Sequence, residues 1–361
     1  MKLAITHPYS WPDVRRGAER IVVETARALA ARGHAVTILT SGWQPVHERQ
    51  DGIETIKLRR RFKDSYRHEL SFALRILPKL ITGHYEAVHS MMPLDALAAA
   101  VTRRLGGHTV LYDEMGIPDR GWWANQPEGW ARRIIVRKVD VYACMSQFAL
   151  DALRRDWNRG GALVPGGVRV ESFAPAKSRE RVPTILFSGL LDDPRKGVED
   201  LLSAAVILAR SRPDLKVWLS GPGDPRAILS RVPEAAGIAE HLPVGDPSSQ
   251  AERYGRAWVT CLPSVSESFG LVLIESLACG TPIVVVDDAA PPSLVTPETG
   301  CVAKPHDPQS LARSLDDALE LAQQIDTARL CRGRAEEFDW DSSIAPLLER
   351  LYVSGRDPIA V

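Results

Sequence analysis

The chain lacks a surplus of charge, a cysteine framework and any long apolar run. Its 45 Lys+Arg balance 45 Asp+Glu. No recognised nucleic-acid motif accompanies its basic stretches, so a nucleic-acid partner is not expected. The five cysteines (Cys144, Cys261, Cys279, Cys301 and Cys331) are scattered, with no C-x-x-C pair. That spacing points away from a zinc site and a disulfide scaffold, and toward a reducing cytoplasm. No segment approaches the roughly 20 apolar residues that span a bilayer. The N-terminal MKLAITHPYS reads as a short strand, because it lacks the apolar core and cleavage site of a secretory signal. Short-period repeats and low-complexity tracts are also missing.

What is present is a chain of 361 residues, 45% hydrophobic and 25% charged. That length exceeds one ordinary core, and the composition suits a globular protein of two domains. The neutral total hides a split. Residues 1–171 hold 26 Lys+Arg against 18 Asp+Glu, and the remainder holds 19 against 27. An anionic partner for the first half and an ordinary solvated surface explain this equally well. Lys2–Thr6 reads as a buried strand, Ala18–Arg32 as a helix ended by Gly33-His34, and Ala35–Thr40 as the next strand. Such units build a parallel sheet. Further strands are expected at Ala87–His89, Thr109–Tyr112 and Val139–Met145. The Gly/Pro-rich VPGGVRVESFAP, Val164–Pro175, then interrupts the series. A second series starts at Thr184–Ser188 and continues through Lys216–Ser220, Trp258–Leu262 and Pro282–Val286. The pattern predicts an α/β protein of two Rossmann-like, doubly wound parallel-sheet domains facing across a cleft. Their expected bounds are 1–165 and 179–339, with a linker at 166–178. A last helix is expected within 340–361, with Ile344, Leu347, Leu348 and Leu351 on one face.

The stretch Leu262–Val286, LPSVSESFGLVLIESLACGTPIVVV, carries the most chemistry. It sets Glu267 and Glu275 eight residues apart around a Ser268-Phe269-Gly270 turn, the second acid lying on a helix-like segment that ends at Cys279-Gly280-Thr281-Pro282. Acids at a loop-to-helix start suit the hydroxyls of a sugar and a ribose, and the N–H groups exposed there suit a phosphate. The arrangement resembles the E-x7-E motif of retaining, nucleotide-sugar-dependent glycosyltransferases of the GT-B fold. That large group includes glycogen-synthase-like and mannosyltransferase-like enzymes. Two more stretches resemble the group, in the order it requires. Leu186–Gly197, LFSGLLDDPRKG, is similar to its phosphate-binding stretch, with Leu190 in place of the usual arginine. Arg15–Arg20, RRGAER, is similar to its glycine loop, with Arg16 in place of the first glycine.

The resemblance implies a hexosyltransferase whose first domain holds the acceptor and whose second holds a UDP- or GDP-type sugar donor. It implies no required cofactor and no metal. Lys196 and Arg195 would neutralise the departing diphosphate, Arg16 being a second source for the charge missing at Leu190. Glu267 would face the donor sugar, and Glu275 the ribose hydroxyls. The backbone at Ser268, Phe269, Gly270 and Leu271 would meet sugar hydroxyls and phosphate, and Gly17, Gly189, Gly221 and Gly223 would line the donor pocket. The last helix would cross back to the first domain. A same-fold nucleotide-sugar epimerase or glycosyl phosphorylase stays open, as does a non-catalytic sugar-nucleotide-binding protein.

The acceptor side is less marked. In Val110–Asp119, VLYDEMGIPD, Tyr112 stands where many relatives carry a histidine, followed by Asp113 and Glu114. Either acid orients an acceptor hydroxyl or caps a turn. Trp122 and Trp123, with Trp130 nearby, form an aromatic platform or a satellite core. The basic, apolar-interleaved stretch 57–79 is read as a helix with a solvated face or as a contact with an anionic membrane. A small-molecule and a lipid-linked acceptor both fit, the latter with the enzyme at the inner face of the membrane. The letters Asp339-Trp340-Asp341 read as a helix cap more readily than as a metal site.

Overall fold

The computed structural model describes residues 1–355, so 356–361 of the expected last helix lie outside the described residues. The chain divides into two compact units, one of residues 1–167 with 340–355 and one of residues 168–339.

The first unit runs β1 (Lys2–Thr6), α1 (Gly17–Ala31), β2 (Ala35–Gly42), β3 (Val46–Gln50), β4 (Ile53–Arg59), α2 (Ser65–Thr82), β5 (Ala87–Ser90), α3 (Pro93–Gly106), β6 (Thr109–Glu114), α4 (Arg120–Ala124), α5 (Gly129–Lys138), β7 (Val141–Cys144), α6 (Gln147–Trp157) and β8 (Ala162–Leu163). Its sheet has the order β3-β4-β2-β1-β5-β6-β7-β8. The pairings are parallel except for β3 with β4. The central strands are buried on both faces, which is why they read as continuous apolar runs. Helices α2, α3 and α5 cover one face, where Phe72, Ile76, Leu80, Leu94 and Ile135 form a core with Val88 and Val110.

The stretch 57–79 is not one amphipathic segment. Asp51 and Gly52 both take positive φ, 51° and 80°, and turn the chain into a β3–β4 hairpin. Asp-Gly suits that turn because both of its central residues need left-handed backbone. Residues 57–59 therefore finish β4, and α2 begins only at Ser65, where Asp64 accepts a hydrogen bond from the Arg67 N–H at 2.8 Å.

The second unit runs β9 (Thr184–Ser188), α7 (Val198–Leu208), β10 (Lys216–Ser220), α8 (Pro225–Leu229), β11 (Ala239–Leu242), α9 (Pro247–Arg256), β12 (Val259–Leu262), α10 (Leu271–Ala278), β13 (Ile283–Val286), β14 (Gly300–Ala303), α11 (Pro308–Leu321) and α12 (Thr327–Glu336). Its all-parallel sheet has the order β11-β10-β9-β12-β13-β14. The chain steps outward from β9 through β10 to β11, then restarts at β12 on the other side. The switch point therefore lies at the carboxyl ends of β9 and β12, where α/β sheets bind ligands.

Within 166–178, residues from Val168 onward pack on the second unit. The Arg332 guanidinium donates to the carbonyls of Val170 (2.8 Å), Phe173 (3.0 Å) and Ala278 (2.9 Å). The final segment is a wide turn, Trp340–Ile344, leading into α13 (Ala345–Ser354) in the first unit. There Glu349 bonds both Arg32 (2.8 Å) and His34 (2.7 Å), and these partners hold its carboxyl down at about 2. Among the described residues, no helix is long and apolar enough to cross a membrane.

Candidate active site

The second unit brings the acidic motif and the phosphate-like stretch together. After β9 the chain forms a tight turn, Pro194–Lys196, closed by Gly197 at φ +67°. A Cβ on Gly197 would sit 2.4 Å from the carbonyl oxygen of Pro263, so only glycine lets this turn lie against the loop after β12. The Val265 N–H donates to the Arg195 carbonyl at 2.9 Å and stitches the two loops together. Lys196 Nζ consequently lies 2.5 Å from Glu267 Oε2, both side chains about four-fifths buried. The Glu267 loop is fixed from the far side, where the Ser266 N–H donates to Asp288 at 2.5 Å and the Ala290 N–H to the Glu267 carbonyl at 3.2 Å.

Helix α10 starts directly beyond this pair. Its N-cap is Gly270, at φ +100°, which supplies no side-chain cap, and its first turn carries no acid. The Leu273 N–H bonds the Gly270 carbonyl at 2.9 Å, and the helix start lies four residues beyond Glu267. Phe269 anchors the turn in the core, edge-on to Phe338 at 5.7 Å, while Ser268 and Leu271 are half-buried. Glu275 lies one turn into α10, buried, and its Oε2 accepts from the Tyr254 hydroxyl at 3.0 Å.

The glycine turn after β10 abuts the loop after β9. Gly221 has φ +142°, and a Cβ there would fall 1.9 Å from the carbonyl oxygen of Gly189. Gly189 N–H in turn donates to the Ser220 carbonyl at 2.9 Å. Gly223 packs on Leu191 and Asp192 in the same way. Leu190 is 46% exposed. Arg195 is held by Asp193 of its own turn, with Nη2 at 2.6 Å from the carboxylate, which also accepts from the Arg195 N–H.

In the first unit, Arg16 is the N-cap residue of α1 and Gly17 its first residue. The Arg16 side chain is 63% exposed and pairs with the buried Glu19 at 2.5 Å. Its guanidinium also lies 5.1 Å from the Tyr9 ring centre, and that of Arg60 lies 5.5 Å from the same ring. Tyr9 donates to Glu69 Oε1 at 3.0 Å, and burial pushes the Glu69 carboxyl up to about 7 and the Tyr9 hydroxyl up to about 12. Sequence reasoning missed this cluster, because Tyr9, Arg60 and Glu69 belong to separate loops and helices.

Of the acceptor-side residues, Trp122 and Trp130 present large surfaces, at 56% and 46% exposure. Asp113 is buried, with Oδ2 3.5 Å from His89 Nε2. Glu114 is buried in an ion pair with Arg132 and accepts from the Tyr142 hydroxyl at 2.9 Å, the Tyr112 hydroxyl at 3.3 Å and the Gly116 N–H at 3.1 Å. Tyr112 therefore turns into the core. Trp123 is almost covered and lies against the Arg132 guanidinium, 3.3 Å from its ring centre. Trp122 meets Trp123 edge-on at 4.5 Å.

The chain resembles several known proteins over most of its length. Residues 168–336 match the model of the glycosyl transferases group 1 family, and residues 15–172 match that of glycosyltransferase family 4. The phosphatidyl-myo-inositol mannosyltransferase of Mycobacterium tuberculosis is 26% identical, covering 98% of this chain and 96% of its own. The sucrose-phosphate synthase of Thermosynechococcus elongatus superposes with a TM-score of 0.83 at 22% identity, covering 98% of each chain. Anabaena HepE in complex with UDP-glucose superposes with a TM-score of 0.72 at 16% identity, covering 97% of this chain and 100% of its own. The two matched family models, the full-length curated relative and the shared architecture agree: the chain is a glycosyltransferase of group 1 with the GT-B fold.

Proposed function

We propose that this glycosyltransferase moves a hexosyl unit, with retention of configuration, from a nucleoside-diphosphate sugar to an acceptor hydroxyl. The second unit takes the donor and the first takes the acceptor. The observation that carries the reading is the Lys196–Glu267 pair at the uncapped start of α10. A diphosphate set there would draw the Lys196 ammonium from Glu267 and meet the opening N–H groups of the helix. Charge stabilisation of this kind eases departure of the nucleoside diphosphate as the sugar becomes oxocarbenium-like. Glu267, released from Lys196, then faces the sugar, while Glu275 takes ribose hydroxyls. The leaving phosphate accepts the acceptor proton, and no metal is required. HepE, which shares the fold, was captured with UDP-glucose, in keeping with a nucleotide-sugar donor.

On the acceptor side, Tyr9 flanked by the Arg16 and Arg60 guanidiniums suits a hydroxylated ring carrying an anionic group. The mycobacterial relative is named for a phosphatidylinositol acceptor. Exposed Arg59, Arg61, Lys63 and Arg67, beside exposed Phe62, Trp43 and Leu74, suit docking on an anionic membrane that carries such an acceptor. In this reading the enzyme works in the cytoplasm, peripheral at the inner face of that membrane.

The test measures turnover of nucleotide sugars and the anomeric configuration of the product by NMR. Lys196→Ala is expected to lower kcat by about 10²- to 10³-fold with the fold intact. Glu275→Ala is expected to remove the thermal stabilisation that the donor nucleotide gives the wild type. An inverted product, or a Lys196→Ala enzyme with wild-type kcat, refutes the assignment.

A further inference from the structure

Beyond the residues of the acidic motif, the second unit carries an ordered polar cluster on the other side of β9. Ser188 and Ser220 are register partners at the ends of β9 and β10, so their side chains share a face. Gln250 of α9 bridges them: its Oε1 accepts from Ser220 Oγ at 3.0 Å, and its Nε2 donates to Ser188 Oγ at 3.0 Å. One turn further along α9, Arg253 Nη1 donates to Ser220 Oγ at 2.9 Å. The guanidinium is thereby held by one nitrogen. Arg253 Nη2 lies 3.4 Å from the point where a side chain at position 245 would begin, and that position is Gly245. The neighbouring carboxylate, Asp246, is committed to capping α9 through the Ser249 N–H at 2.7 Å and the Ser249 hydroxyl at 2.8 Å.

The order of groups across the sheet gives this arginine a meaning, and the argument rests on the donor-site reading above. Lys196 and Glu267 mark the diphosphate and sugar end, at the ends of β9 and β12. Glu275, the ribose group, bonds Tyr254, the residue next to Arg253 on α9. A nucleotide that runs from Lys196 past Glu275 and along α9 from Tyr254 to Arg253 brings its base to the end of β10, the strand on the other side of β9. Ser220, Gln250 and Arg253 line that end.

We propose that Arg253 reads the donor base and selects guanine. A guanidinium only donates, and it offers its donors as a planar fork. Guanine presents two adjacent acceptors, O6 and N7, to such a fork. Adenine replaces one of them with an amino donor, which opposes an arginine, and uracil has no adjacent acceptor pair. Ser220 and Gln250 fix the fork before the ligand arrives, so little side-chain freedom is lost on binding.

The experiment titrates the full chain with GDP, UDP and ADP by calorimetry, for the wild type, Arg253→Leu and Arg253→Lys. The melting temperature of each unliganded variant checks its folding. Wild-type affinity is expected to be at least about tenfold higher for GDP than for UDP or ADP. Arg253→Lys, which keeps the charge and loses the fork, is expected to lose about tenfold in GDP affinity while its UDP affinity stays within about twofold. Arg253→Leu should show the same loss. Nucleotide binding without guanine preference, or a preference that survives in folded Arg253→Lys, overturns the base assignment and leaves the donor site standing. Absence of binding to every nucleotide overturns both.

Discussion

The buried pair Arg132–Glu114 gives the sharpest test of how the first unit is held together. Arg132 has no exposed surface and Glu114 is 2% exposed. The guanidinium also contacts the Tyr112 and Tyr142 hydroxyls at 3.2 Å each and the face of Trp123. Arg132→Met leaves the Glu114 carboxylate with two phenols and one N–H, in a site that water does not reach. Breaking one side of such a pair costs about 3–5 kcal/mol. Glu114→Leu leaves an unpaired guanidinium and should cost a similar amount. The double variant removes both charges, and apolar replacements of buried pairs are often close to neutral. Its cost should therefore fall to about 2 kcal/mol, much of it the lost cation–π contact with Trp123. The coupling energy from the cycle should accordingly exceed about 3 kcal/mol. For a unit of this size, about 1 kcal/mol moves Tm by 2–4 °C, so each single variant should melt roughly 6–20 °C lower. Urea denaturation followed by tryptophan fluorescence reads the cycle, and calorimetric titration with nucleotide checks that the second unit is undisturbed. Additive single and double costs would show that the two charges do not compensate each other, and the account of this core would fail.

Two further outcomes are expected. Gly221→Ala should abolish nucleotide binding and destabilise the second unit by more than about 2 kcal/mol, since φ +142° and a carbonyl oxygen 1.9 Å from the new Cβ leave the alanine no room; an unchanged urea midpoint and unchanged GDP or UDP affinity would contradict the packing of that turn. The Glu69 carboxyl, raised by burial from 4.5 to about 7, makes the folded state bind more protons than the unfolded state between those values. Its contribution to stability is therefore fully present below about 4.5 and lost as pH rises through 7. Buried His7 and His68, both lowered by burial, act with the opposite sign in an overlapping window, so the comparison must be with a single variant. Wild type should lose about 2–3 kcal/mol relative to Glu69→Gln between pH 5 and pH 8. A constant difference in unfolding free energy across that range would refute the assignment.

The contrast between the two units explains what the sequence could disclose. Strands Lys2–Thr6, Thr184–Ser188 and Lys216–Ser220 occupy the residues expected for them, because parallel strands buried on both faces advertise themselves as apolar runs. The loops around Lys196 and Glu267 carry motifs of their own. Lys196, Glu267 and Glu275 sit in a turn, a loop and a helix start that glycines mark in the chain, although Lys196 reaches Glu267 across 71 residues.

The first unit adds pairings whose members carry no motif of their own. Glu114 finds Arg132 and Tyr142, 18 and 28 residues away, and Tyr9 finds Glu69 at a separation of 60. Trp122 and Trp123 look alike in the sequence, yet consecutive residues of a helix point about 100° apart. One ring is therefore drawn onto Arg132 and the other faces solvent. The same holds for Arg253, whose neighbour Tyr254 is turned inward to Glu275 while Arg253 reaches along the sheet end to Ser220. In both units the motif stretches carry the resemblance to the family. The side chains that would distinguish one substrate from another, Arg253 for the base and the Tyr9–Arg16–Arg60 cluster for the acceptor, become visible only once the strands are paired.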